Sequence, residues 1–369
     1  VRRVTFVADS DAWGGAEVHL THHLRRAAGL GWTASLVAAE PVAARLAPVV
    51  PPAGGLAVVP VARHAAGAPA VRAALAASRP DVVAVNLVDP ASNAAVVEAA
   101  LAVAPAVGTL HLGGDTGRPG LAALYTRLAA VLTPSSDIAA RVSADLGLPA
   151  GQVRVVPNGV DVPSDPAGPA GHRVPRVGAL GRLTAQKGFD VLLEAVGRLV
   201  AAGTPLALVV GGEGRDGAAL RAAAAGLPVT FTGFVEDVRG FLAALDVFVV
   251  SSRVEAGPLV LLEAMAEGLP CVSTDVGDVA VRLGGDVVVV PTEDAGALAA
   301  ALGGLLADPA RRADLARRAR ARAVADLDAD LMVRRTFAVL ARAAGVPAGG
   351  AGKGPGRDSR RAGHRGPAT

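Results

Sequence analysis

The segment Ser251-Ser252-Arg253-Val254-Glu255-Ala256-Gly257-Pro258-Leu259-Val260-Leu261-Leu262-Glu263 carries two carboxylates with seven residues between them. Glu255 falls in the loop after an apolar strand, and Glu263 falls inside the next helix on a stretch that is apolar on every side. A carboxylate so placed costs roughly several kcal/mol unless it is paired or hydrogen-bonded. The vicinal hydroxyls of a ribose or a hexose are natural donors to such acceptors. A buried Glu–Arg pair or a charge at a helix N-terminus would meet the same demand. The start of that helix, residues 259–262, offers free N–H groups and a dipole that favour a phosphate.

A second strand ends at Gly181-Arg182-Leu183-Thr184-Ala185-Gln186-Lys187-Gly188-Phe189-Asp190. Arg182 supplies a rigid fork of donors and Lys187 a point charge, a combination suited to a diphosphate. Two solvated surface cations would give the same pattern. A nucleotide-hydrolysing loop would need more glycines and a Lys-Ser/Thr pair, so ATP hydrolysis is disfavoured. Gly14-Gly15, after the first strand, permits close backbone approach where a helix begins. Trp13-Gly14-Gly15-Ala16-Glu17-Val18 lacks the third glycine of the dinucleotide fingerprint, which argues against an NAD-dependent oxidoreductase. Taken alone, the pair reads as a tight turn.

The elements that must position these residues alternate short apolar runs with longer alanine-rich amphipathic stretches, the mark of an α/β chain. Strands are predicted at 3–9, 33–39, 57–61, 82–86, 106–111, 130–134 and 153–157, with helices at 16–28, 69–78, 92–102 and 136–146. The prolines and glycines of 162–171 predict a linker. Strands follow at 176–180, 206–211, 229–233, 246–251, 270–274 and 286–290, with helices at 189–202, 218–225, 238–245 and 259–268. Residues 294–344 read as almost entirely helical, with an arginine-rich face at 311–322 taken as a solvated surface. The expected architecture is two doubly wound Rossmann-like domains, 1–165 and 166–345, followed by a disordered basic tail at 346–369. Ligands should lie outside the carboxyl ends of the strands, in a cleft between the two.

Composition narrows the remaining classes. The chain has 369 residues, 51% of them hydrophobic, which is ample for two cores and excludes bulk disorder. The longest charge-free stretches, 46–62 and 99–114, are broken by Pro and Gly and fall short of a membrane span. The opening residues reach Asp9 before any long apolar region, so a secretory leader is not expected and a cytoplasmic location is. Cys271 is the one cysteine, which excludes a disulfide framework or a cysteine-rich zinc site. Charges balance over 1–165 and nearly so over 166–349, so the net +3 resides in the last twenty residues. With only 3% aromatic residues there are few stacking platforms, and nucleic-acid binding is disfavoured.

Six ordered motifs now form one pattern: Gly14-Gly15; Val155-Val156-Pro157-Asn158-Gly159-Val160-Asp161; Gly181-Arg182-Leu183 with Lys187-Gly188; Gly212-Glu213-Gly214; Phe231-Thr232-Gly233-Phe234-Val235; and Glu255 ahead of Glu263. Over residues 1–340 the chain resembles a family 4 retaining glycosyltransferase of the GT-B fold. The resemblance implies sugar transfer from a nucleotide diphosphate donor, without a bound metal or other cofactor, to an acceptor held mainly by the N-terminal domain. It places Arg182 and Lys187 on the diphosphate, Glu263 on the ribose hydroxyls and Glu255 on hydroxyls of the transferred sugar. Gly14 and Gly15 match the loop that closes on the phosphates and reaction centre. Phe234 and Val235 match nucleobase contacts, and His111 the histidine that faces the donor sugar. His19, His22 and His23 receive no catalytic role. The family often has an aromatic or large apolar residue where this chain has Gly257, and Pro258 lacks an N–H, so Leu259 and Val260 become the candidate amide donors.

The leaving diphosphate accumulates charge that Arg182, Lys187 and the helix start near Leu259 can stabilise. By resemblance, attack comes on the same face of the sugar, with a donor phosphate oxygen taking the acceptor's proton. Closure about 162–171 would exclude water. On the acceptor side Asp9, Asp11, Glu17, Asp89 and Asp115 follow N-domain strands and suit a cationic small molecule. The expected donor is a UDP-linked hexose or N-acetylhexosamine and the expected acceptor an aminoglycoside or aminocyclitol precursor. Glycosylation of cell-envelope lipid, polysaccharide or small-thiol precursors is the alternative. Helix 136–146 is not basic enough to suggest membrane association. A nucleotide-sugar 2-epimerase or a non-catalytic nucleotide-sugar-binding protein shares the architecture, and acceptor-independent turnover would distinguish the former.

Overall fold

A computed structural model describes residues 1–9, 13–61, 64–65 and 67–345. Asp11 and the 346–369 tail lie outside the described residues. The first sheet has seven strands, β1 (Arg2–Ala8), β2 (Trp32–Ala38), β3 (Leu56–Val58), β4 (Val82–Leu87), β5 (Ala106–Leu110), β6 (Ala130–Thr133) and β7 (Val153–Val155). Its helices are α1 (Gly15–Arg26), α2 (Glu40–Leu46), α3 (Pro69–Ser78), α4 (Ala94–Leu101), α5 (Leu121–Tyr125) and α6 (Ser136–Asp145). The second sheet has six strands, β8 (Arg176–Leu180), β9 (Ala207–Gly211), β10 (Val229–Gly233), β11 (Val247–Val250), β12 (Cys271–Thr274) and β13 (Val288–Val290). Around it run α7 (Phe189–Ala201), α8 (Gly217–Ala223), α9 (Val238–Ala243), α10 (Leu259–Ala266), α11 (Val279–Leu283), α12 (Ala295–Ala307) and α13 (Pro309–Asp326), and the last helix is α14 (Ala329–Ala343).

All pairings are parallel, in the orders β3-β2-β1-β4-β5-β6-β7 and β10-β9-β8-β11-β12-β13. Each order reverses beside its first strand, between β1 and β4 and between β8 and β11. The crevices at the strand ends there are where α/β sheets bind ligands. Central strands β4 and β11 are buried throughout because helices cover both faces, which is why they read as unbroken apolar runs.

The chain crosses between the halves twice at one place. Val160 N–H donates to Leu327 O at 2.8 Å and Ala329 N–H donates to Val160 O at 2.9 Å. Gly159 lies so close to Asp328 that a Cβ there would sit 2.6 Å from its carbonyl oxygen. After this crossing α14 returns to the first half, where Met332, Val333, Phe337 and Leu340 share a core with Phe6, Leu20 and Trp32. Arg26 fastens α1 to both crossings, to Asp161 at 2.6 Å and to Asp330 at 2.5 Å. His22 and Arg26 together hold the Asp161 carboxyl far below the usual carboxylate range.

Several expectations need correction. Segment 162–171 is not a free linker, because it is pinned to the second half. Ala167 N–H donates to Glu267 Oε2 at 2.9 Å and Gly171 N–H to Asp246 Oδ1 at 2.6 Å. The 57–61 strand is β3, three residues long, and α2, α5 and α11 went unread because they have seven, five and five residues. Helix α4 starts two residues later than expected, where the Asn93 side chain accepts from Val96 N–H. The arginine face is also more than a solvated surface. Arg312 donates to Leu305 O, Arg320 to Ala266 O and Arg322 to Arg282 O, satisfying carbonyls at the ends of α12, α10 and α11. Among the described residues no helix is long and apolar enough to cross a membrane.

Candidate active site

The cations stand where the second sheet reverses. Gly181 to Leu183 leave β8 and rest on the loop after β9: Leu183 N–H donates to Glu213 O at 2.8 Å and Gly181 N–H to Gly211 O at 3.1 Å. Gly212 has φ +121, and a Cβ on it would lie 1.9 Å from Gly181 O, so only glycine lets the two loops touch. This buttress presents Arg182 on the surface with no carboxylate partner among the described residues. Lys187 is different. Its ammonium pairs with Glu255 Oε1, which also accepts from Ser252 Oγ at 2.9 Å. The two loops meet because Gly188, at φ +60, lies against Ser251 O where a Cβ would be 2.0 Å away, while Ser251 Oγ donates to Lys187 O. Glu255 Oε2 has no partner among the described residues.

Arg253 braces the same loop from below. It donates to both carboxylate oxygens of Asp190 at 2.9 and 2.7 Å and to Glu293 at 3.0 Å, and Asp190 is accordingly held below the usual carboxylate range. Beyond the loop, α10 begins without a side-chain cap, and the N–H groups of Leu259 and Val260 have no acceptor among the described residues. One turn into α10, the Glu263 carboxylate makes no hydrogen bond or ion pair with any described residue. Burial, helped by the nearby Asp161 charge, pushes its carboxyl up to about 7. The Glu263 side chain is half-buried, and its carboxylate keeps no partner among the described residues.

The first half supplies the facing wall. Gly14 and Gly15 open α1, again without a side-chain cap, and a Cβ on Gly15 would be 3.7 Å from Leu259 Cδ1. The starts of α1 and α10 are therefore neighbours, and each N-terminus favours negative charge nearby. Asn158 Nδ2 donates across to Gly257 O at 2.8 Å. A Cβ on Gly257 would lie 3.2 Å from that same Nδ2 and 3.7 Å from Pro134 Cβ, so the first half fills the space a larger residue would need.

Matches to known families agree with this geometry. The family model described as Glycosyltransferase Family 4 matches residues 13–163, and the one described as Glycosyl transferases group 1 matches residues 174–308. The chain belongs to the GT-B glycosyltransferases. A lipopolysaccharide core biosynthesis glycosyltransferase of Rhizobium meliloti is 39% identical over 163 residues, 43% of this chain and 45% of that protein. A 2-deoxystreptamine glucosyltransferase of Streptomyces kanamyceticus is 30% identical over 209 residues, 52% of this chain and 50% of that protein. The chain thus spans about half the length of these curated relatives. The Anabaena HepE structure in complex with UDP and glucose covers 92% of this chain and 100% of its own, with a TM-score of 0.76 and 20% identity, which bears on the fold alone.

Within this GT-B frame Lys187, Glu255, Pro258 and Val260 line one small cavity, Gly15 approaches Leu259 from the first half, Arg182 is exposed at the end of β8, and Glu263 lies one turn into α10. His111, leaving β5, is half-buried, with Nε2 2.7 Å from Asn86 Oδ1 and its ring edge-on to His19 at 4.8 Å. Phe234 is 46% exposed beneath the Arg45 guanidinium at 4.7 Å, and Val235 packs towards Gly211. The acidic acceptor wall is less uniform than expected. Asp9 is buried and accepts from Val88 N–H and Ser92 Oγ, and Asp89 accepts from Ala91 N–H, so both serve turns. Glu17 is buried in the first turn of α1, while Asp115 is exposed and accepts from Gly117 N–H. Arg141 lies against Gly113 on the same rim.

Sequence reading missed four contributors. Ser252 carries a faint signal in its Ser-x-x-Glu spacing to Glu255. Asn86 is a polar residue near the end of an apolar strand at the reversal point. Arg45 sits on the unread α2, stacked over Trp13 at 5.2 Å as well as over Phe234, and has no local signature. Asp278 acts only across the cleft.

Proposed function

We propose that this chain transfers a hexose or N-acetylhexosamine, with retention, from a UDP-linked donor to a hydroxyl of a small polar acceptor. The observation that carries the reading is that a half-buried Glu263 and an exposed Arg182, both without a side-chain partner among the described residues, stand on the same half as the Lys187–Glu255 pair and the uncapped start of α10. Ribose hydroxyls would donate to Glu263, and the diphosphate would lie between Arg182, Lys187 and the amides of Leu259 and Val260. As the sugar–oxygen bond breaks, these fixed charges and dipoles stabilise the departing diphosphate without reorganising. No metal is needed for that step. Glu255, held by Lys187 and Ser252, offers Oε2 to a sugar hydroxyl. The acceptor hydroxyl attacks from the face the diphosphate leaves, and a phosphate oxygen takes its proton.

For the acceptor we favour an aminocyclitol, a reading supported by the similarity to a 2-deoxystreptamine glucosyltransferase and by the exposed Asp115. A cell-envelope glycan is the second reading, favoured by the similarity to a lipopolysaccharide core enzyme and by Arg141 on the acceptor rim. The test is nucleoside diphosphate release from UDP-, GDP- and ADP-sugars in chelator, with aminocyclitol or envelope-glycan acceptors. Acceptor-stimulated release, lost in Glu263→Ala and Arg182→Ala, supports the proposal. Acceptor-independent turnover would identify an epimerase or hydrolase instead, and tight donor binding without turnover a binding protein.

A further inference from the structure

Asn86 is the penultimate residue of β4, where the first sheet reverses, and it is 4% exposed. Its amide makes two bonds with opposite demands. Nδ2 donates to Ala16 O, in the first turn of α1, at 3.1 Å, and Oδ1 lies 2.7 Å from His111 Nε2. The first bond fixes the second. A backbone carbonyl only accepts, so the amide nitrogen must face Ala16 and the amide oxygen must face His111. An amide oxygen also only accepts, so the proton of that bond belongs to His111 Nε2.

Burial, with a smaller effect from His23, lowers the His111 pKa to about 4, so the ring is neutral at pH 7 and has no second proton. Nδ1 is therefore a bare acceptor, and it has no hydrogen-bond partner among the described residues. The titratable groups that act on or touch the ring are His23 and His19, both on α1. Burial is the main cause that keeps each of them neutral as well.

We propose that Asn86 is a positioning residue that holds His111 as its Nε2–H tautomer, leaving Nδ1 as an acceptor for a hydroxyl of the bound sugar. The same amide ties that orientation to the first turn of α1, directly after Gly14 and Gly15. Ordering of the α1 start around a diphosphate and orientation of His111 towards the sugar thus become one event. The sugar hydroxyl rests on the glycosyltransferase reading, whereas the tautomer does not.

Nitrogen NMR of histidine-labelled protein, with the His111 signals assigned from His111→Gln, reads the tautomer without any turnover. The wild type should show a neutral His111 protonated at Nε2. Asn86→Leu should mix the tautomers, and Asn86→Asp should place a carboxylate on the ring and charge it near neutral pH. In turnover assays Asn86→Leu should lower kcat by about 10- to 100-fold while the Kd for UDP stays within about threefold. Asn86→Asp should make kcat follow the His111 titration. A wild-type ring protonated at Nδ1, or Asn86→Leu with tautomer or kcat unchanged, overturns the proposal. If no nucleotide sugar is turned over by the wild type, the functional reading fails, and the NMR result still decides whether Asn86 sets the tautomer.

Discussion

Asp278, from the second half, closes the N-terminus of α6 in the first. Its carboxylate accepts from Ser136 N–H with both oxygens at 2.9 Å, from Ser136 Oγ at 2.8 Å and from Ser135 Oγ at 3.3 Å. Ile138 N–H is met locally by Asp137 Oδ1 at 2.7 Å, but α6 has no N-cap side chain of its own, so Asp278 meets Ser136 N–H only while the halves are together. The residue is 8% exposed, and opening the cleft would exchange these bonds for water. Asp278 therefore ties the two halves together across the cleft.

Asp278→Ala should loosen that closure. Loss of such a cap costs about 1 kcal/mol, enough to shift a balanced open–closed equilibrium several-fold. Small-angle scattering should report a larger radius of gyration, and donor hydrolysis relative to transfer should rise because the site admits water. An unchanged radius with unchanged partitioning would remove that role.

Arg182 and Lys187 should behave differently although both are cations of one loop. Arg182 has no partner among the described residues, so Arg182→Ala should weaken UDP binding with the melting temperature unchanged. Lys187→Ala strands Glu255, a side chain only 11% exposed, and should also cost stability, about 2 kcal/mol. Glu255→Gln added to Lys187→Ala should recover part of that loss. Calorimetric binding and thermal unfolding on the same four proteins separate the two effects.

Gly188→Ala should damage the site through the backbone alone. A Cβ there meets Ser251 O at 2.0 Å, and the left-handed φ of +60 is itself unfavourable for alanine. Relief requires the Lys187 loop to withdraw from Ser251, which separates Lys187 from Glu255. The expected outcome is a loss of about 2 kcal/mol or more, together with weaker donor binding. Gly203→Ala is the control, because φ is also positive there but nothing lies within 4 Å of the added carbon.

How much of this was legible in the sequence follows from where each signal resides. The central strands, such as β4 and β11, were readable because parallel strands covered on both faces are unbroken apolar runs, whereas the exposed edge strands β3, β7 and β10 were readable from short β-branched runs. Glu263 stood out because a charge within an apolar helix contradicts its surroundings. Helix α2 was invisible because seven alanine-rich residues do not complete a second amphipathic turn, and with it went Arg45. Asp278 with Ser136, Asn158 with Gly257 and Arg45 with Phe234 are contacts between halves, made by residues ordinary in their own segments. Likewise 162–171 looked like a linker from its prolines and glycines, whereas the carboxylates that pin it, Asp246 and Glu267, lie far along the chain.

The pH response of Glu263 provides the last test. Its carboxyl rises from 4.5 in the unfolded chain to about 7 in the folded protein, through burial and then through Asp161. Below the unfolded value both states are protonated and Glu263 costs nothing. As pH climbs from 4.5 to 7 the unfolded chain loses its proton first, so stability declines, and above 7 the full penalty of up to about 3 kcal/mol remains. Glu263→Gln should therefore raise the melting temperature by a few degrees at pH 8 and leave it unchanged at pH 4. The same substitution should weaken UDP binding, since an amide replaces the carboxylate that ribose hydroxyls would favour in its ionised form. Binding that selects the ionised carboxylate must release a proton between pH 5 and 7. Titration calorimetry in two buffers of different ionisation enthalpy measures that proton directly. Release in the wild type and none in Glu263→Gln is the expected pair of results, and equal heats in both buffers would place the ribose elsewhere.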